Sequence, residues 1–529
     1  MSDDRNGTEH TVHSLLLARA AAHPDTDLLV TPTERLTYQQ AEQRSREMAR
    51  RMLSASVGKN TRVGILFANT PDWIVGWLAA TRIGALAIPV NTYQQAPELH
   101  RTLRHADIHL LLTTLRHLNH DYADRLDRIA PALAHSTAGR LFLPTLPHLR
   151  QIWTTRRGGP AWATVVDDIV VDAGVDDALL RAVESEVTPA DPATVIYTSG
   201  STTQPKGVIH SHGTLVRHSG RVGAQLHDFR RGDRIYTPNP FFWIGGLSSV
   251  LLAAMHAGAT VLCEPKLDPP QTLRFLERER VTLYRGQAHA RNALHNHPAF
   301  ADHDLTSMRG WVHNTSLGMT ETCGGHTAAG PRTDRTWSEG SFGTPLPGIE
   351  HRIVEVGGKK TLPDGEPGEI CVRGEDLFVG MVKREQSEVV DTDGWYHTGD
   401  YGCFRDGELF FSGRIVDTIK ASGMNVTPRE VEIALESCAG VLQAVVVGVD
   451  HPDRGQDVAA AIVPDPGTDI DPDDILRRLR QQLSSYKLPR HLSVLSRDEL
   501  PVFPNGKIDR TTLTRLLESS ITGDAQHVA

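Results

Sequence analysis

The segment Tyr197-Thr198-Ser199-Gly200-Ser201-Thr202-Thr203-Gln204-Pro205-Lys206-Gly207 follows the apolar pair Val195-Ile196. The backbone N–H groups that Gly200 leaves accessible, the hydroxyls of Thr198, Ser199, Ser201 and Thr202, and the Lys206 ammonium are the groups that wrap and neutralise a polyphosphate. It is not a Walker A loop, where a second glycine stands just before the lysine; here Gly207 stands just after it. A Ser/Thr-rich stretch is more often a solvated turn. Its chemistry therefore has to be weighed with what the rest of the chain carries.

Four further segments offer charged or hydroxyl groups next to glycine. Leu317-Gly318-Met319-Thr320-Glu321-Thr322 supplies hydroxyls and a carboxylate. Trp395-Tyr396-His397-Thr398-Gly399-Asp400 puts a carboxylate at the end of a strand. Gly413-Arg414-Ile415-Val416-Asp417-Thr418-Ile419-Lys420-Ala421-Ser422-Gly423 opens a second compositional region. Pro504-Asn505-Gly506-Lys507-Ile508-Asp509-Arg510 presents a lysine just after an Asn-Gly turn.

These segments need a scaffold, and 529 residues are too many for one ordinary core. Up to Ala193, apolar strands alternate with amphipathic helices: Arg62 to Ala68 reads as a strand, Asp72 to Ile83 as a helix, Ala85 to Val90 as a strand. Such alternation predicts an α/β fold of parallel sheets covered by helices. Short strands with Gly/Asp turns fill the region up to Ser412, and small βα units follow Arg414, with Val441 to Val449 a strand and Asp473 to Leu483 a helix. The most apolar run, Ile74 to Val90, is interrupted by Arg82 and reads as a buried helix leading into a strand, not a membrane span.

Composition narrows the class. The chain is 39% hydrophobic and 22% charged, with 55 basic against 64 acidic residues and a net charge of -9. Arg44, Arg46, Arg50 and Arg51 are interspersed with acidic residues as on a solvated helix face, so nucleic acid is not an expected partner. The five cysteines form no CxxC pair, and Met1 to Asn6 lacks a secretory pattern, so a cytoplasmic location is expected. His210 with His212, and His289 with His295 and His297, lack acidic or thiol ligands at metal spacing and read as structural or surface histidines.

In their order and spacing, the five segments make the chain resemble the adenylate-forming superfamily: acyl- and aryl-CoA synthetases, adenylation domains of nonribosomal peptide synthetases, and beetle luciferases. The resemblance runs from about Leu36 to Arg510. It implies a large N-terminal domain (1–413) of helix-covered parallel sheets with a β-subdomain, a hinge (414–417) and a small mobile α+β domain (418–529). It also implies roles. Lys507 bridges the substrate carboxylate and the α-phosphate, Thr320 meets phosphate and Glu321 holds Mg²⁺. Thr198, Ser199, Gly200, Ser201, Thr202 and Lys206 cradle pyrophosphate. Leu317 and Met319 lie beside the nucleotide, and Asp400 and Arg414 bind the ribose. In the second half-reaction, Lys420 and Gly423 approach the thiol tunnel, where glycine lets the pantetheine arm pass close to backbone.

Departures from the family pattern bear on the substrate. Thr203 replaces a glycine, Trp243 a frequent histidine, Leu317 an aromatic residue and Val416 a charged hinge residue. Met308 to Ser316 leads almost directly into Leu317, where relatives carry an adenine-contacting loop and a helix. Phe242, Trp243, Gly245, Gln287 and His289 are the candidate pocket residues. Around the last two, Arg285 to Arg291 is polar; if it faces the pocket, burial against a long alkyl chain would cost about 1–3 kcal/mol per unpaired group. A solvated helix start is the plain alternative. The expected activity is ATP- and Mg²⁺-dependent activation of an aromatic or short polar acid, then transfer to CoA or a carrier-protein thiol. Activation of nitrite for diazotisation of an arylamine, and a non-catalytic nucleotide-binding homologue, stand as rivals.

Overall fold

A computed structural model of the chain describes residues 10–198, 206–311, 316–329, 337–415, 419–426, 428–501 and 508–525. Eight strands form the first sheet, in the order Gly380–Met381, Lys206–Ser211, Pro192–Thr198, Leu86–Pro89, Arg62–Leu66, Leu110–Thr113, Gln151–Thr154 and Thr164–Val165. From Pro192–Thr198 to Thr164–Val165 all neighbours are parallel, as helix-bearing crossovers require. A second sheet, also largely parallel, runs Leu283–Tyr284, Arg234–Tyr236, Thr260–Leu262, Asp27–Val30 and Arg35–Thr37. One core joins them, with Val63, Ile65 and Ala87 from the first sheet and Leu29, Ile235 and Val261 from the second.

Helix Pro71–Arg82 shows how local sequence and burial agree. The Thr70 hydroxyl accepts from the Trp73 N–H, Pro71 takes the first turn where no amide donor is needed, and Arg82 sits in the last turn. Every residue from Trp73 to Arg82 is buried, as expected of a helix that is apolar all round. Trp73 and Trp77 stack with centroids 6.0 Å apart. The interrupting charge is neutralised: Arg82, 2% exposed, donates to Glu184 Oε1 at 2.7 Å through Nε, to Glu42 Oε1 at 3.2 Å, and to Ser45. Arg82→Met strands two shielded carboxylates and should lower stability by about 3–5 kcal/mol. A shift of the urea midpoint, read by tryptophan fluorescence, checks this; an unchanged midpoint would contradict it.

Beyond these sheets, Ile349–Val354, Gly368–Gly374, Tyr396–Arg405 and Glu408–Arg414 build an antiparallel four-stranded sheet. The region after Arg414 differs from the βα expectation. Met424–Val426, Ile419–Ala421, Gly455–Pro464 and Val441–His451 are antiparallel neighbours, and only His491–Val494 joins in parallel. Its cores are its own, one around Val431, Leu435, Val446 and Leu479, the other around Val447, Ala461 and Leu513. Among the described residues no helix is long and apolar enough to cross a membrane.

Candidate active site

The segment of phosphate-loop candidates is flanked by two paired strands. Pro192–Thr198 and Lys206–Ser211 are antiparallel, with Thr198 opposite Lys206, so the loop returns at once along its own sheet. Ser199, Gly200, Ser201 and Thr202 lie outside the described residues, as do Thr203 and Lys507. Lys206 is half-buried at the start of the return strand. That strand also pairs with Gly380–Met381, and Tyr197 Oη lies 2.9 Å from His105 Nδ1.

Glu321 is brought against this edge. Strand Gly318–Met319 turns into a short 3₁₀ segment, Thr320–Thr322, held by hydrogen bonds of Thr322 Oγ1 with the Met319 backbone and with the Gly324 carbonyl. The Phe378 N–H donates to the Glu321 carbonyl at 3.0 Å. The buried Glu321 side chain accepts from Tyr396 Oη at 3.0 Å. Leu317 and Met319 pack on the apolar cluster that contains Phe378 and Tyr396. His210, fully buried beside Thr320, is driven down to about 3 by burial and the neighbouring His218, and is neutral at ordinary pH.

The strand that carries Tyr396 also carries Asp400, at its middle and not at a strand end as the sequence suggested. Tyr396, Thr398 and Asp400 alternate along it as buried residues. Thr398 Oγ1 donates to the Ile370 carbonyl at 2.6 Å and accepts from the Asp400 N–H at 3.0 Å, which fixes the backbone at the carboxylate. Asp400 stands directly opposite Arg414 in register. Glu369 completes the support: its carboxylate accepts from the Gly399 N–H at 3.2 Å and lies 2.8 Å from His397 Nδ1. Glu369, Cys371 and His397 converge, and these hydrogen bonds already account for the carboxylate and the ring. Tyr396, Glu369 and His210 were not among the expected residues. Two of them sit within or one strand away from the motif that yielded Asp400.

The pocket candidates have a defined frame. Asn69 ties down the turn before them, donating to the Asn239 carbonyl and accepting from the Phe241 N–H. Phe242 is buried edge-on between Trp243 and Tyr93, both at 5.7 Å. Gly245 faces open space. Gly246 is the constrained glycine, since a Cβ there would lie 2.1 Å from the Pro240 carbonyl oxygen. Arg285 donates to His227 Nε2 at 2.9 Å. Burial brings Arg285 down to about 10 and, with Arg285 beside it, holds His227 well below its usual range, so the ring accepts as a neutral base. Gln287 begins helix Ala288–His295; the side chain of His289 is outside the described set.

Gly423 comes from the C-terminal sheet to this same place. It turns between Ile419–Ala421 and Met424–Val426 at φ +78°, and a Cβ there would lie 2.6 Å from Gln287 Cδ and Oε1. Lys420, on the same hairpin, is exposed, and its N–H donates to Gln456 Oε1 at 2.9 Å. The structure thus bonds Glu321 to Tyr396 on the strand where Asp400 stands in register with Arg414, and sets Gly423 against Gln287.

Comparison with known proteins agrees with this geometry. Residues 16–317 and 310–382 match the family of AMP-binding enzymes, and 430–507 match the AMP-binding enzyme C-terminal domain. The chain is 30% identical to a methyl-dioxo-octahydroindenyl-propanoyl:CoA ligase of Mycobacterium tuberculosis, over 93% of this chain and 96% of that one. It is 29% identical to the indoleacetate–CoA ligase of Aromatoleum aromaticum, over 94% and 96%. The amide bond synthetase McbA of Marinactinospora thermotolerans superposes with a TM-score of 0.77 at 25% identity, over 95% and 99% of the two chains. Sequence motifs, fold and relatives converge: this chain belongs to the AMP-binding enzyme family, the adenylate-forming superfamily.

Proposed function

We propose that this enzyme joins a carboxylic acid to the thiol of CoA in two steps through an acyl-adenylate. A carboxylate oxygen attacks the α-phosphorus of ATP, the α–β bridge bond breaks and pyrophosphate leaves. The thiol sulfur then attacks the acyl carbon, gives up its proton, and AMP departs. The observation that carries this reading is the single strand on which Tyr396 orients Glu321 and Asp400 faces the Arg414 position. Buried carboxylates cost free energy unless partnered, and here they are held for a polar, cationic ligand set.

Roles follow from charge. Glu321, a hard oxygen donor fixed by a phenol, fits Mg²⁺. That ion, when bound, neutralises phosphate charge. Asp400 accepts from the ribose hydroxyls, with Arg414 donating beside it, and Lys206 and the hydroxyls from Thr198 to Thr202 hold the departing pyrophosphate. Lys507 stabilises the charge that develops between carboxylate and phosphate. Residues 414–417 act as the hinge on which 418–529 moves between the steps, and Lys420 and Gly423 then flank the pantetheine path. A carrier-protein thiol would use the same path.

The acid we assign is aromatic or short and polar. Phe242, Trp243 and Tyr93 offer ring edges and faces for stacking. Arg285, whose hydrogen bond among the described residues is to the neutral His227, places a desolvated cation next to Gln287. An alkyl tail would offer no partner to the remaining donors of that guanidinium.

Pyrophosphate and AMP release across benzoates, cinnamates, short polar acids and long fatty acids, with and without CoA, tests this. Release with aromatic or short acids, followed by a CoA thioester, is expected. Activity confined to long-chain acids would overturn the substrate class, and silence with every acid would overturn the ligase reading.

A further inference from the structure

A buried ionic contact joins the C-terminal unit to the N-terminal one. Lys487, 6% exposed, donates to Glu98 Oε1 at 2.8 Å and to Glu430 Oε1 at 3.0 Å. Glu98, 3% exposed, accepts from Ser484 Oγ at 2.7 Å through Oε2, the same oxygen that accepts from the Gln95 N–H at the start of helix Ala96–His105. Glu430 belongs to helix Pro428–Glu436 on Lys487's own side, and Arg101 approaches it at 3.7 Å from the N-terminal side. Burial works against the Lys487 ammonium, but the Tyr486 oxygen, Glu98 and Glu430 outweigh it and raise its pKa. The two negative and two positive side chains balance.

We infer that the Glu98–Lys487 pair is a positioning latch that holds the C-terminal unit in the arrangement that serves thioester formation. This rests on the two-step reading above. Lys487 and Gly423 belong to one unit, and in the structure where the pair is closed Gly423 lies against Gln287 in the pocket frame. The charges that the latch shields regain water when it opens. A pair of this kind therefore favours one arrangement without making the other inaccessible. Adenylation calls for a different face of the C-terminal unit, so the latch opens for the first step and closes for the second.

Glu98→Gln keeps an oxygen for the Gln95 N–H and removes the ion pair. Pyrophosphate release should stay within about twofold of the parent, while thioester formation from preformed acyl-adenylate falls by about tenfold, with a higher KM for CoA. Lys487→Met should behave alike, and Lys487→Arg should retain the thioester step. If Lys487→Met fails to fold, Ser484→Ala removes one hydrogen bond to Glu98 and should shift the same ratio in the same direction. Amide hydrogen exchange gives a readout apart from catalysis. In Glu98→Gln, residues 419–426 and helix Ala96–His105 should lose protection together while Val441–His451 keeps its own.

Equal loss in both half-reactions, or unchanged exchange at both faces, would overturn the latch. A parent enzyme silent with every acid would overturn the ligase reading instead, and the exchange result would still decide whether the pair holds the two units together.

Discussion

Lys507→Ala should slow acyl-adenylate formation by about a thousandfold while nucleotide affinity changes little. The lysine lies beyond the described residues, so the expectation rests on its place after Asn505-Gly506 and on the charge that the reaction builds. Attack of one anion on another needs a cation where the two meet, and that cation acts mainly in the transition state. Nucleotide binding has other proposed anchors, Asp400 opposite Arg414 among them, and should survive. Single-turnover pyrophosphate release, calorimetric ATP titration and thioester formation from a supplied acyl-adenylate separate the effects. Only the first should collapse. Parity between variant and parent in pyrophosphate release would remove Lys507 from the chemistry.

Gly423→Val should produce the opposite pattern, with adenylation nearly intact and thioester formation reduced by about a hundredfold. Two costs add. A β-branched side chain at φ +78° is strained by about 1–2 kcal/mol, and its Cβ would press on Gln287 at 2.6 Å. Together, about 2–3 kcal/mol corresponds to the stated factor. Removing the obstacle isolates the second cost: Gln287→Gly combined with Gly423→Val should regain part of the loss but not the strain. Uniform loss in both half-reactions would point to misfolding of the hairpin and would sink the assignment.

The sequence revealed single residues at the site more readily than the contacts that set them. Asp400 was marked by its motif, but its place was misread: it lies mid-strand in Tyr396–Arg405, because the apolar pattern continues past the Gly399-Asp400 step that reads as a strand end. The Tyr396–Glu321 bond was not, because its partners are 75 residues apart and neither is unusual in its own segment. The Glu98–Lys487 pair, separated by 389 residues, has no local signature at all. Arg82 was visible as an interruption, but its counter-charges lie on another helix and at Glu184.

The parallel sheets were legible because buried strands are continuous apolar runs. The α+β class of the region after Arg414 was read, but not the pairing of its strands, although Pro452-Asp453-Arg454-Gly455 between Val441–His451 and Gly455–Pro464 is turn chemistry that predicts a hairpin. The same oversight left the segment after Tyr197 without its return strand.

That return strand bears on the thermodynamics of the nucleotide capture proposed for this segment. Because Thr198 and Lys206 are already paired across the sheet, the two ends of segment 199–205 are gathered before any ligand arrives. The entropy of bringing those ends together is charged to folding, once, and is absent from the binding equilibrium. Lengthening such a tethered segment is correspondingly mild, because each doubling adds only about 0.6 kcal/mol of closure entropy. For the phosphate-binding role proposed for this segment, the closure of its ends is then a property of the fold and not a cost of binding.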